Sequence, residues 1–178
     1  MNTIRPKDDQ NFWNLIFSAL FAVLLGLSLW YFYAAYRVIP RYIPLADFAL
    51  ISLAIFRITR LVVYDKITQF LRDSFLRSRE LLGDDGRVYV ERSAYPGGPL
   101  RTISDLLQCP WCTGMWATLV VVFAYYAFAF SWYLILVLAI AAVGNVMQLI
   151  ANAIGWRAES LKLDVSAKTE GQVRPDGN

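Results

Sequence analysis

Two cysteines stand three residues apart in the run Leu106-Leu107-Gln108-Cys109-Pro110-Trp111-Cys112-Thr113-Gly114-Met115-Trp116, and the chain has no others. Pro110 suits the first turn of a helix, where its missing N–H goes unneeded. The spacing therefore predicts Cys109 at an N-cap and Cys112 about one turn further in. Both sulfurs would feel the positive end of the helix dipole, which favours thiolate over thiol. Three roles fit such a pair: close packing at a helix start, thiol–disulfide exchange, or metal binding. In the exchange reading Cys109 attacks as the more exposed thiolate and Cys112 resolves. In the metal reading one CxxC supplies only two of the four ligands that structural zinc needs. A zinc site would then pool Cys109 and Cys112 from two chains, or draw on Asp105. The absence of histidine excludes imidazole from catalysis and metal binding.

A second polar set is embedded in apolar sequence. Arg57 and Arg60 lie three apart and share a helix face; Asn145, Gln148 and Asn152 follow one another at steps of three and four. Charge inside a hydrophobic span is costly, by roughly 2.5–3.5 kcal/mol per arginine at its centre, so it needs a partner or a role. Toward a span end an arginine can instead reach the headgroups. Asp65 and Asp105 are the candidate partners for the arginines, and the amides suit interhelical hydrogen bonding.

These residues need long apolar helices to hold them. The chain of 178 residues is 57% apolar and 15% aromatic, with 17% charged, and the apolar residues come in blocks. That is the composition of a membrane protein. A net charge of +3, spread along the chain, gives no basic face for nucleic acid. The expected architecture is an all-α membrane protein with four transmembrane helices: 12–36, 44–64, 110–130 and 132–156. Residues 12–36 are too long, and end too bulkily in Trp30-Tyr31-Phe32-Tyr33, for a cleaved signal peptide. Residues 1–11 and 157–178 are expected as polar tails, the second disordered. The loop 65–108 is expected to begin with an amphipathic interfacial helix over 66–82. A turn at Gly83-Asp84-Asp85-Gly86, a short strand over Arg87–Glu91 and a capping box at Thr102–Asp105 complete it.

Lys and Arg number two, seven and four in the N-tail, long loop and C-tail, against two (Arg37 and Arg41) on the other side. The positive-inside rule then places both termini and the CPWC turn in the cytoplasm of a multi-pass inner-membrane protein. Residue counts put Arg57, Arg60, Asn145, Gln148, Asn152 and the cysteine turn at similar depth, so a single polar cluster in the inner leaflet is expected.

Phe56-Arg57-Ile58-Thr59-Arg60-Leu61, with Asp65, and then the CPWCTGxW run resemble an uncharacterised bacterial and phage integral-membrane family. It is a domain-of-unknown-function family in which some members carry sporulation-related names. The resemblance covers roughly Leu45 to Gly155 and leaves the first span and the C-terminal tail outside the shared core. It implies a small integral membrane protein and no particular reaction. The first functional reading is therefore assembly or interaction with protein and anionic inner-leaflet lipid, as a homo-oligomer or with a membrane partner. The alternative is a cytoplasmic-facing thiol–disulfide oxidoreductase using Cys109 and Cys112. A third is a small pore or phage lysis-type protein. No phosphate loop, catalytic triad or paired acidic site is present, and no bound cofactor beyond zinc is expected.

Overall fold

The computed structural model describes residues 9–37, 39–82 and 88–172, apart from the side chains at 78, 80, 81, 90–92 and 167–172. The described chain is almost entirely helical. Helix α1 runs Asp9–Tyr36 and α2 runs Leu45–Val63. A 3-10 turn at Lys66–Thr68 leads into the short α3, Gln69–Asp73. Strands β1 (Arg77–Leu82) and β2 (Val88–Ser93) pair antiparallel, with Arg77 opposite Ser93 and Leu82 opposite Val88. Then come α4 (Pro99–Gln108), α5 (Pro110–Ala127) and α6 (Ser131–Gln172).

Helix α2 packs against both α5 and α6, and the core forms along these contacts. Ile51, Ala54, Val121 and Ile135 make its centre, with Ala139 and Ala142 also buried. The alanines let helix axes approach closely, as small residues do where no hydrophobic drive separates helix from lipid. At one end of the bundle an aromatic group ties α1 to α5. Phe32 meets Phe123 at 5.5 Å and Tyr126 at 5.8 Å between ring centroids. At the start of α2 the Tyr125 hydroxyl donates to Asp47 at 2.5 Å, giving that carboxylate a partner.

Two helical stretches are long and apolar enough to cross a membrane, Gln10–Tyr36 and Ser131–Ser166. A third arises if α4 and α5, which meet at 92°, are counted as one broken span. Helix α2 does not join them, because Asp47, Arg57 and Arg60 all fall within its 19 residues. Two to three spans are thus visible where four were expected.

Three expectations change. The amphipathic helix over 66–82 ends at Asp73, and Arg77–Leu82 is a strand. Its partner Val88-Tyr89-Val90 is β-branched and aromatic, and pairing with it outweighs the local helical period of 77–82. The strand expected over 87–91 is found at Val88–Ser93, while the turn 83–86 lies outside the described residues. The tail expected to be disordered continues α6 as far as Gln172. Extending a formed helix avoids the nucleation penalty, and Ala158, Glu159, Leu161, Lys162 and Leu163 are good helix formers. Finally, Thr102 does not cap a helix. Helix α4 starts earlier, at Pro99, after Gly98 takes a positive φ of 83° that suits glycine.

Candidate functional site

The cysteine turn sits where α4 ends and α5 begins, and Cys109 serves as both the C-cap of one and the N-cap of the other. Its extended backbone (φ −102°, ψ 105°) makes the right-angle bend between the helices. Pro110 follows at the first helical position, as the spacing predicts. The bend is held from both sides. Thr113 Oγ1 donates back to the Leu106 carbonyl at 2.7 Å, closing the elbow. On α4, Ser104 is fully buried and its hydroxyl donates to the Leu100 carbonyl at 2.9 Å and also to the Phe75 carbonyl. Helix α4 is thereby tied to the segment leading into β1. Thr102, also buried, bonds Gln10 Nε2 at 2.8 Å and Asn14 Oδ1 at 3.1 Å, joining α4 to α1.

The two sulfurs are 2.8 Å apart, and both thiols are free. The Cys112 N–H donates to Cys109 Sγ at 3.3 Å. The Cys112 thiol beside it, helped by the backbone N–H groups of Cys112 and Trp111, holds the Cys109 thiol below its ordinary pKa. Exposure runs opposite to expectation: Cys112 is the exposed sulfur and Cys109 the half-buried one. Cys109 is still the sulfur whose pKa is lowered, through hydrogen bonding rather than accessibility. Trp111, between them, is 86% exposed, which suits an aromatic at a membrane interface or partner surface. Among the described residues no group of three or more metal-ligating side chains forms. One chain therefore offers zinc two thiolates, and Asp105 pairs with Arg101 at 3.7 Å instead.

Both sulfurs line a groove of about 550 Å³ between α1, α4 and α5. Phe17 and Phe21 of α1 and Trp116 of α5 form its walls, Phe21 and Trp116 meeting edge to face at 5.3 Å. Asn14, from the first turns of α1, also faces it.

The arginines and amides expected in one cluster find other hydrogen-bond and ring partners. Arg57 pairs with Asp65 at 2.6 Å, the partner the sequence offered. Arg60 lies over the Phe56 and Tyr64 rings, at 6.0 and 5.4 Å from their centroids. Gln148 donates to Asn152 within α6 at 3.0 Å, and both are exposed. Among the described residues no hydrogen bond or ion pair joins Asn145, Gln148 or Asn152 to either arginine. The cysteines face α1, away from that set, although α2 approaches α5 nearby. A Cβ on Gly114 would sit 3.6 Å from Thr59 Oγ1. Equal depth does not fix the direction in which a residue faces.

A knot at the end of α2 escaped the sequence reading. Arg72 donates to the Val62 carbonyl at 2.7 Å and the Asp65 carbonyl at 2.9 Å, while the Thr68 hydroxyl bonds the Leu61 carbonyl. These satisfy carbonyls that a helix end leaves orphaned. The polar face of a predicted helix hid the role of Arg72.

Residues 50–151, from within α2 to the end of the apolar part of α6, match a family described as "Protein of unknown function (DUF1360)". The chain belongs to the DUF1360 family. The match includes both the Arg57–Arg60 motif and the CPWC turn, and it leaves α1 outside, as the resemblance implied. This DUF1360 chain is 36% identical over 105 residues to sporulation protein YjcA of Bacillus subtilis (strain 168), covering 58% of this chain and 88% of that one. It is 33% identical over 78 residues to UPF0713 protein YngL of the same organism, covering 44% of this chain and 56% of the other. No solved structure matches.

Proposed function

We propose that this DUF1360 protein is a multi-span membrane protein carrying a reversible dithiol site at its cytoplasmic face. This reading takes four spans with both termini inside: α1, α5 with α4 lying along the interface, α6, and also α2, whose charges Asp47 and Arg57 are paired with Tyr125 and Asp65. The distribution of Lys and Arg supports that orientation. The observation that carries the reading is the placement of Cys109 and Cys112, whose sulfurs stand 2.8 Å apart at a proline-started helix N-terminus. In exchange, the Cys109 thiolate attacks one sulfur of a cytosolic disulfide and releases the other as thiolate. Cys112 then loses its proton and attacks Cys109 Sγ, forming the internal disulfide and freeing the second sulfur. The partner is thereby reduced to a dithiol and the CPWC pair oxidised; the reverse sequence resets it.

Equilibration of the purified protein in glutathione redox buffers tests this. A single two-electron transition between dithiol and internal disulfide, lost in Cys109→Ser, is expected. About half an equivalent of zinc per chain, absent in Cys109→Ser, would replace this reading with a four-thiolate bridge between two chains.

A second reading, assembly, has its own support. Helix α6 leaves Met147, Ile154 and Leu161 at least 58% exposed, and Leu161 lies beyond Arg157, past the span in this reading. An apolar side chain there has no lipid to cover it, so a second chain or a membrane partner is the natural cover.

A further inference from the structure

We infer that the groove beside the dithiol binds a membrane-soluble quinone, which acts as the electron acceptor of the Cys109–Cys112 pair. The inference rests on the dithiol reading above and names what that site reacts with. At about 550 Å³ the groove lies within the size range of small-ligand sites. Phe17, Phe21 and Trp116 offer aromatic faces to a flat ring. One wall is α1, whose Gln10–Tyr36 stretch is apolar enough to span the membrane, so a lipid-dissolved molecule has a route along it.

The polar detail fits a carbonyl. Asn14 Oδ1 already accepts from Gln10 Nε2 at 3.2 Å and from the Thr102 hydroxyl at 3.1 Å. Asn14 lines the groove and its NH₂ makes no hydrogen bond among the described residues, which leaves it a donor for a ring carbonyl. A quinone also matches the electron count. The Cys109 thiolate adds reversibly to the ring, forming a carbon–sulfur bond. Cys112 loses its proton and attacks Cys109 Sγ; the sulfur–sulfur bond forms as the carbon–sulfur bond breaks. The ring leaves as quinol with two electrons. Its two protons replace those given up by the two thiols.

The test uses the full chain, reduced and purified in detergent without oxygen, with duroquinone, whose fully substituted ring resists permanent thiol addition. One quinol per chain should form with loss of both thiols, faster than with free dithiothreitol at equal thiol concentration. Cys109→Ser should abolish it. Trp116→Ala should raise the duroquinone concentration for half-maximal rate about tenfold, a larger loss than it causes in oxidation by glutathione disulfide. Asn14→Ala, at an exposed position, gives the same readout should Trp116→Ala not fold. Oxidation by glutathione disulfide but not by duroquinone would overturn the quinone site and leave the dithiol reading standing. Oxidation by neither would overturn both.

Discussion

At the scale of single residues, hydrogen bonds decide which sulfur reacts. Cys109 is the less exposed of the two, yet the Cys112 thiol and N–H point at it and favour its charged form. A lowered pKa means that the thiolate forms at a lower pH than in an ordinary thiol. Alkylation of Cys109 by iodoacetamide should therefore reach half its maximal rate below the usual value of about 8.5. In Cys112→Ser that midpoint should move, because the thiol donor is replaced; an unchanged profile would show that the second sulfur has no part. Arg57 and Asp65 make a second residue-scale case. Their side chains are 18% and 26% exposed, so Asp65→Asn strips the counter-charge from a mostly covered guanidinium. A loss of about 1–3 kcal/mol is expected in denaturation from mixed micelles. The two cysteine positions and the Arg57–Asp65 partnership were legible in the sequence because each depends on spacing within one helix or its end. Arg72 was not, because its acceptors are carbonyls whose availability only the chain reversal after α2 creates.

At the scale of elements, helix contacts depend on small residues. Gly114 of α5 faces Thr59 of α2 with room for one methyl group, since 3.6 Å is ordinary van der Waals contact. Gly114→Ala should be neutral or should stabilise by up to about 1 kcal/mol through helix propensity. Gly114→Leu should overfill the contact and cost about 1–3 kcal/mol. Equal effects of the two would mean that α2 and α5 do not meet there; equilibrium unfolding of both variants decides. The elements legible from sequence were those with long apolar runs, α1, α5 and the apolar part of α6. The β1–β2 pairing was half-legible: Val88-Tyr89-Val90 reads as strand, whereas Arg77–Leu82 carries a helical period that only its partner overrides. Residues 158–166 are all exposed, and their helicity comes from continuation of α6 rather than from a buried face.

At the scale of the whole molecule, the charge asymmetry supplies the strongest prediction. Reporter fusions after Arg41 should be active only outside the cytoplasm, and fusions after Gln172 only inside. The reverse pattern would place the CPWC turn in an oxidising compartment and recast the dithiol as a standing disulfide. The proposed orientation rests on composition alone. The grouping of cysteines with α1, and not with the arginines, could not be read that way, because hydropathy is silent on how helices are arranged around one another.

The length of α6 has a mechanical consequence. Forty-two residues at about 1.5 Å each make a rod of roughly 63 Å, about twice the thickness of the hydrocarbon layer. In the four-span reading proposed above, the helix continues about 22 Å beyond Arg157. A flexible tail in that place would let a bound partner drift back onto the headgroups. A helix fixes its reach, so in that reading a partner bound near Gln172 would be held at a set distance from the end of the span.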